Sequence, residues 1–330
     1  MTKPFFSIIV PIYNVAKEYF ECCINSLRNQ SMPDIEIILV DDGSVSECAK
    51  MCDEFAALDP HIQVIHQMNQ GVSAARNIGI QTACADWIMF VDADDWLELN
   101  ACEILKDELQ CHSHDLLMFQ YVREERESHT MRYAFECDRV YDLSVAEDRE
   151  LLYHSVVAVP PAHASPIYYS WDKVYRRDFL LKNDLSYPLG LAKSEDKVFI
   201  ARCLEKASTF YQMDKVLYHY RIHDASVCHR YSDNMDVQRI MLAETLNPIV
   251  KRMNQELAEK LGDPSYCRLW HDYERYLFGV VTEVLYLKFY HKDNPNKRGR
   301  RKEAIRFLRT EPFTRSSVRC RMLLCLPLLK

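Results

Sequence analysis

The alternation of apolar runs with helical patterns is the feature that most constrains the fold of this chain. Four apolar runs rich in β-branched residues have the composition of buried strands: residues 5–10, 35–40, 62–65 and 87–91. Helical patterns separate and follow them, at residues 19–27, 46–57, 71–83 and 100–111. This alternation predicts βαβ units and an α/β fold, with a mostly parallel sheet flanked by helices.

Polar clusters follow three of the predicted strands directly. Tyr13 and Asn14 come after the first strand, Asp41 and Asp42 after the second, and residues 92–95 after the fourth. In open α/β sheets, ligands bind outside the carboxyl ends of the strands. The three clusters therefore predict one shared site at that edge of the sheet.

The second half of the chain has a weaker pattern and ends in helices. Further strands are predicted at residues 116–122 and 216–220. One helix is predicted to follow residues 168–173, and two more to cover residues 233–260 and 264–291. Another is predicted to begin at Ser194, whose hydroxyl suits a helix N-terminus. We expect an α/β domain over residues 1–228 and a helical C-terminal region with a basic tail over residues 229–330.

Asp92 and Asp94 form a carboxylate pair after the fourth strand. If the extended conformation continues, their side chains point the same way and repel each other unless a proton or a cation lies between them. Oxygen ligands of this kind suit Mg²⁺ or Mn²⁺, often together with substrate phosphates. A turn with a helix cap is the alternative interpretation of an isolated Asp-x-Asp.

Composition excludes several classes of protein. A formal net charge of −7 argues against nucleic acid as the main partner, and no Gly-x-Gly-x-x-Gly or Walker A loop supports a dehydrogenase or an ATPase. The 13 cysteines include no Cys-x-x-Cys pair and no zinc-finger spacing, which predicts reduced thiols. With no secretory signal and no run of about 20 apolar residues, we expect a cytoplasmic protein.

Four motifs in order give the chain a close resemblance to family 2 glycosyltransferases of the GT-A fold, including those of bacterial surface-polysaccharide assembly. They are SIIVPIYN at 7–14, VDDGS at 40–44, NQGVSAARN at 69–77 and FVDADD at 90–95. The resemblance continues in WDKVYR at 171–176 and SED at 194–196, and weakens after 228. It implies inverting, metal-dependent transfer from a nucleotide-sugar, with UDP-sugar favoured, to a hydroxyl of a glycan or lipid-linked acceptor.

The resemblance also assigns roles on the donor side. Pro11, Tyr13 and Asn14 would contact the nucleotide, with the Tyr13 ring stacking on the base. Donor-binding roles likewise fall on Asp41 and Asp42 at the base, Arg76 near the base or diphosphate, and Asp92 at the ribose or sugar. Asp94 would bind Mn²⁺ or Mg²⁺, and Asp95 would orient its loop.

The remaining roles fall in the second half. Asp196, with Glu195 second, would be the general base, although Ser194 stands where many relatives have glycine. The resemblance assigns diphosphate contacts to Arg221 and Ser226, a further metal contact to His223, and acceptor contacts to Trp171 and Asp172. For these acidic residues and Trp171, helix charge, helix capping and core packing are the structural alternatives.

Two other functions compete with sugar transfer. A nucleotidyltransferase making a nucleotide-sugar also uses a parallel sheet and metal-binding aspartates, but its glycine-rich basic loop is absent after the first strand. A sugar-nucleotide-binding protein without catalysis, or a scaffold acting through the helical region, has no need of the acids Asp92, Asp94 and Asp196. Donor hydrolysis with and without metal separates these hypotheses.

The basic tail raises the question of membrane contact. The segment KRGRRK at 297–302 and further arginines precede an apolar run at 322–329 that is too short to span a bilayer. Such a pairing suits a peripheral position at the anionic inner face of the cell membrane. A solvated helix with its terminal segment packed on the body is the alternative, and we favour it slightly.

Overall fold

The computed structural model describes most of the chain. The described residues are 3–112, 114–125, 129–131, 133, 136–159, 164–222, 233–290, 294–296 and 298–310. His223, Ser226 and the segment 311–330 lie outside them.

The described strands form one mixed sheet. They are β1 (Phe6–Ile12), β2 (Ile35–Asp41), β3 (Ile62–His66), β4 (Trp87–Phe90), β5 (Trp96–Leu97), β6 (Leu116–Glu124), β7 (His129–Met131), β8 (Arg139–Asp142), β9 (Lys173–Arg176) and β10 (Thr209–Arg221). The order is β3-β2-β1-β4-β9-β6-β10-β5, with β7 beside β6 and β8 beside β10. Strands β1, β2, β3, β4, β6 and β10 share one direction, and the other four run against it. The predicted α/β sheet of mostly parallel strands is confirmed.

The described helices flank this sheet and extend beyond it. They are α1 (Lys17–Arg28), α2 (Ser46–Leu58), α3 (Val72–Thr82), α4 (Ala101–Cys111), α5 (Ala146–Val157), α6 (Arg177–Lys182), α7 (Glu195–Lys206), α8 (Met235–Lys260), α9 (Arg268–Val284) and α10 (Arg300–Leu308). Helices α8 and α9 pack against α5 and α7 through a core continuous with that of the sheet. None of the helices in the described ranges is long and apolar enough to cross a membrane.

Strand β1 runs through Pro11, where the prediction ended it. β1 pairs with β4 only over Phe6–Ile9, whereas its pairing with β2 continues to Ile12. The amide of Val91 donates to Ile9 O, so the backbone groups of Ile9 face the β4 side. Backbone directions repeat every two residues along a strand, so the nitrogen of Pro11 faces the same side, where β4 has already ended. Pro11 therefore removes no ladder hydrogen bond, and the strand continues into the site.

The segment predicted to lead from Trp171 into a helix first forms strand β9. It pairs antiparallel with β4 on one side and β6 on the other, and α6 begins only at Arg177. The side chains of Val174 and Tyr175 are fully buried. The facing edges of β4 and β6 carry buried backbone groups that need hydrogen-bond partners. Pairing with β9 supplies them, and this outweighs the local preference of the segment for a helix.

The C-terminal helices differ in detail from their prediction. α8 covers most of the predicted 233–260, but α9 starts at Arg268 and passes at Leu285 into a π-helical turn that ends at Phe289. α10, in the basic segment, was not predicted as a helix; its buried Ala304, Phe307 and Leu308 face the body.

Candidate active site

The first two polar clusters meet at the carboxyl ends of β1 and β2. Asn14 adopts a left-handed conformation, with φ of 51°. Its side-chain oxygen accepts a hydrogen bond from Val45 N at 2.8 Å, and its own amide donates to the Ser44 hydroxyl at 3.1 Å. These contacts join the two strand ends and leave the Tyr13 side chain 55% exposed beside them. A ring presented in this way is available for stacking.

Asp41 and Asp42 are buried and hold neighbouring loops. Asp41 accepts from Ser44 N at 3.0 Å and pairs with His66 at 2.8 Å. The Asp42 carboxylate accepts from the backbone amides of Gln70 and Gly71, each at 2.8 Å, and from the Gln67 side chain. Both residues lie at the ends of the strands as predicted. The described hydrogen bonds of Asp42 fasten the loop that leads into α3, and those of Asp41 join the turn after β2 to the end of β3.

Residues 91–95 form a turn after β4, so the expectation of a continued extended conformation at Asp92 and Asp94 is wrong. The amide of Asp95 donates to Asp92 O at 3.0 Å, because the chain reverses once β4 loses its neighbours. The fully buried Asp95 carboxylate accepts from the Tyr218 hydroxyl at 2.7 Å and from Arg221 N at 2.8 Å. The turn is thereby tied to the end of β10, which gives Asp95 the loop-orienting contacts expected of it.

Arg76 is the centre of the site. Its buried guanidinium donates to Asp92 at 3.0 Å, to Glu195 at 3.1 Å and to Asp196 at 2.7 Å. It lies over the Tyr187 ring, with 5.2 Å from the guanidinium carbon to the ring centroid. One cation therefore gathers carboxylates from the turn after β4 and from the start of α7.

Gly79 lets α3 bring Arg76 to this position. A Cβ atom at Gly79 would lie 2.3 Å from Ile9 Cγ2 on β1, which is closer than packed atoms approach. Gly71, with φ of 89°, begins the same helix in a conformation that favours glycine. Both glycines lie on or beside the NQGVSAARN motif, and they place α3 close against the sheet.

The carboxylates around Arg76 are electrostatically strained. Burial, together with the charges of Asp94 and Asp196, raises the pKa of Asp92 to about 6, although Arg76 opposes this rise. Burial and then the charge of Asp196 raise the pKa of Glu195 to about 7, again against the effect of Arg76. Three carboxylates on one guanidinium leave an excess of negative charge at the site.

Ser194 does not cap α7 as predicted. It has φ of 66°, which lies in the left-handed region that favours glycine. No side-chain cap hydrogen bond forms, and the hydroxyl instead accepts from Arg239 Nη1 at 2.9 Å. Arg239 also binds Glu283, so α8 and α9 are linked to the residue that precedes Glu195 and Asp196.

Trp171 and Asp172, predicted at the acceptor pocket, lie beneath the surface. Trp171 is buried and stacks on Tyr218, with 4.4 Å between ring centroids. Asp172 is fully buried and binds Lys173 Nζ at 2.5 Å and the Tyr133 hydroxyl. Because both side chains are buried, neither is placed to contact an acceptor directly; both pack beneath the site.

Arg221, predicted to contact the diphosphate, lies beside the turn after β4. Its Nε donates to Asp94 O at 2.9 Å, and its guanidinium lies between the rings of Tyr19 and Trp96, 4.5 Å from each centroid. Its proposed companions His223 and Ser226 fall outside the described residues.

The sequence did not single out three residues that complete the site. Ser170 donates to Asp196 at 2.6 Å, Tyr218 joins Asp95 to the Asp92 amide, and Tyr187 lies under Arg76. Tyr218 lies in the same stretch as Arg221, but a strand tyrosine carries no local signal of such a contact.

The donor set suits a hard divalent cation. Asp94 is half-buried in the turn beside Asp92. Burial raises the pKa values of Asp92 and Asp95, and the nearby charge of Asp94 raises both further. Mg²⁺ and Mn²⁺ prefer such carboxylate oxygens, and a cation here would relieve the excess negative charge. The residues that are present therefore fit the metal implied by the sequence.

Comparisons with known proteins identify the family and the fold. Residues 7–181 match the model of glycosyl transferase family 2. EpsH of Bacillus subtilis, a protein named as a glycosyltransferase, is 34% identical over 266 residues, covering 78% of this chain and 72% of EpsH. The structure of S. aureus TarS 1–349 with UDP-GlcNAc has a TM-score of 0.62 at 19% identity, covering 92% of this chain and 89% of that one. Mannosyltransferase PcManGT of Pyrobaculum calidifontis, with GDP-Man and Mn²⁺, has a TM-score of 0.50 at 14% identity, covering 98% and 86%. The structural matches confirm the GT-A fold.

Proposed function

The chain belongs to glycosyl transferase family 2, and from this premise we propose that it transfers a sugar from a UDP-sugar to a hydroxyl of a glycan or lipid-linked acceptor, with inversion. The observation that carries the proposal is the gathering of Asp92, Glu195 and Asp196 around Arg76, beside Asp94. A hexose or N-acetylhexosamine fits the class, and synthesis of a bacterial surface polysaccharide is the proposed setting.

The donor lies across the carboxyl ends of β1, β2 and β4. The exposed Tyr13 ring stacks on the uracil, as aromatic rings do on bases, while Pro11 and Asn14 shape that end. Asp41 and Asp42 hold the loops around the base rather than lying open to solvent. Arg221, already beside Asp94 O, supplies positive charge to the diphosphate. A UDP donor is favoured because the related TarS fold carries UDP-GlcNAc.

Asp94 would hold Mn²⁺ or Mg²⁺ at the turn, with Asp92 beside it. Such a cation stabilises the charge that develops on a leaving diphosphate. Asp92 keeps its bond to Arg76 and orients the ribose or the sugar. His223 is proposed as a further contact to this metal, and Ser226 as a contact to the diphosphate.

Asp196 removes the proton from the acceptor hydroxyl. Its Oδ1 accepts from Arg76 at 2.7 Å and from Ser170 at 2.6 Å, which fixes the carboxylate while Oδ2 keeps its basic lone pairs for the substrate. Attack of the acceptor oxygen on the anomeric carbon forms the new glycosidic bond as the bond to the diphosphate breaks. Glu195, one residue away, tunes the charge of the pair.

A donor screen tests this proposal. The protein is incubated with UDP-GlcNAc, other UDP-sugars and GDP-mannose, with Mn²⁺, Mg²⁺ or EDTA, and the released nucleotide is measured. We expect metal-dependent release of UDP from one donor, abolished in Asp94→Asn and kept in Asp86→Asn, whose aspartate is exposed at the opposite edge of the sheet. Release that is independent of metal, or full activity in Asp94→Asn, would overturn the metal assignment. Peripheral membrane contact through the basic tail and a cytoplasmic location remain predictions.

A further inference from the structure

A second group of potential metal ligands lies at the opposite edge of the sheet. Glu108 and His112 lie one turn apart at the end of α4, and His114 follows just before β6 begins at Leu116. We call Glu108, His112 and His114 the His–Glu cluster. Within the described part of the chain, it is the one group of three His, Cys, Asp or Glu side chains whose ligand atoms all lie within 4.8 Å of one another.

The spacing of the ligand atoms matches a small cation. Glu108 Oε1 lies 3.0 Å from His112 Nδ1 and 3.7 Å from His114 Nε2. Two ligand atoms held about 2.0–2.1 Å from a tetrahedral Zn²⁺ lie about 3.3 Å apart. All three ligand atoms lie within 4.8 Å of one another, so a cation between them would meet all three once the side chains turn toward it.

His114 supplies an independent observation. Its side chain is 3% exposed, and among the described residues neither ring nitrogen has a hydrogen-bond partner within 3.5 Å; Glu108 Oε1 faces Nε2 from 3.7 Å. Its ring stacks on Tyr211, with 5.0 Å between centroids, so packing fixes its orientation. A buried polar group without a partner is destabilising, and a metal bond would satisfy it.

We propose that the His–Glu cluster binds Zn²⁺, with Glu108, His112 and His114 as protein ligands and water in the fourth position. Two imidazoles and one carboxylate suit Zn²⁺ better than Mg²⁺ or Mn²⁺, which prefer all-oxygen sites. The site lies at the start of β6 and β10, whereas Asp94 lies beyond their ends. Bound Zn²⁺ would fasten the last turn of α4 to the first residues of β6, independently of sugar transfer.

Calorimetric titration with Zn²⁺ tests the proposal. The tag-free full chain is first treated with EDTA, and the titration is made in excess Mg²⁺, which occupies the carboxylate sites. His112→Ala and Glu108→Gln change exposed or partly exposed side chains and leave the core intact. His61→Ala is the matched control, because His61 is also exposed beside an acid, Asp59, but belongs to no group of three ligands. Asp94→Asn reports on the catalytic site. Co²⁺ absorption in the visible range gives a second readout of tetrahedral coordination.

We expect one equivalent of Zn²⁺ to bind the wild type. The affinity for Zn²⁺ should fall more than about tenfold in His112→Ala and Glu108→Gln, and the Co²⁺ band should be lost. Removing a group that only hydrogen-bonds to a metal ligand already lowers metal affinity by about that factor. His61→Ala and Asp94→Asn should bind as the wild type does. Absence of stoichiometric binding, unchanged affinity in both cluster variants, or loss of binding in Asp94→Asn instead would overturn the proposal.

Discussion

Glu195 is a buried acid whose ionised form destabilises the folded protein. Its side chain lies beside Asp196 and shares Arg76 with it and with Asp92. Burial and the Asp196 charge raise its pKa from 4.5 to about 7. Because the folded state holds this proton more tightly than the unfolded state, ionised Glu195 destabilises the fold as pH rises from about 4.5 through 7.

The substitution Glu195→Gln removes that charge and keeps an oxygen that can accept from Arg76. A rise in pKa from 4.5 to about 7 corresponds to about 3 kcal/mol of destabilisation well above pH 7, at 1.36 kcal/mol per pH unit. At pH 5 the same pKa values give less than about 1 kcal/mol of destabilisation, because Glu195 is still mostly protonated in the folded state. Glu195→Gln should therefore stabilise the protein by about 3 kcal/mol at pH 8 and by less than about 1 kcal/mol at pH 5.

Urea unfolding of the metal-free protein at the two pH values measures this difference. Glu54→Gln is the control, because Glu54 is exposed on α2 and should leave the free energy of unfolding unchanged at both pH values. Equal effects of Glu195→Gln at pH 5 and pH 8, or a loss of stability at pH 8, would refute the assignment of a raised pKa to this carboxyl group.

Two further predictions concern the packing that positions the site. Gly79→Ala should lower the free energy of unfolding by about 1–3 kcal/mol, because the new methyl group meets Ile9. Gly279→Ala on α9 should be neutral or stabilising, because an added Cβ there meets no described atom within 4 Å apart from its own helix backbone and chain neighbours. Urea unfolding of both variants checks this, and equal effects would contradict it. Tyr218→Phe should cost about 1–2 kcal/mol, because buried Asp95 loses the Tyr218 hydroxyl and keeps only the donor Arg221 N among its described hydrogen bonds. The same unfolding measurement on the exposed Tyr286→Phe is the control, and its stability should match wild type. A neutral Tyr218→Phe would contradict the proposed anchoring of the turn.

The strand ends of the first half could be predicted because their signal is local. Apolar runs such as residues 35–40 and 87–91 are buried on both faces, so composition alone identifies them. Parallel strands bring their carboxyl ends to one edge of a sheet, so the sequence sufficed to predict that Tyr13, Asp42 and Asp92 lie at the same edge. Their roles in one donor site stay a prediction. The boundaries erred by one or two residues, as at Pro11.

The contacts within the site could not be predicted, because they join distant segments of the chain. Arg76 meets Asp196 across 120 positions of sequence, and no pattern in either segment specifies that pair. Strand β9 forms only because β4 and β6 offer open edges on both sides. The left-handed backbone of Ser194 likewise contradicts its residue type, and only the surrounding structure, including Arg239, holds it.

Asp196→Asn tests the central claim most directly. Asparagine keeps the oxygen that accepts from Arg76 and Ser170, and it loses only the basicity of the carboxylate. With the donor and acceptor identified, the rate of sugar transfer should fall by about 10²–10⁴-fold, the usual contribution of a general base. Donor affinity should stay unchanged, and Asp178→Asn, on the exposed face of α6, should transfer at the wild-type rate. Transfer by Asp196→Asn at the wild-type rate would contradict the account, and Asp196 would then not be the base.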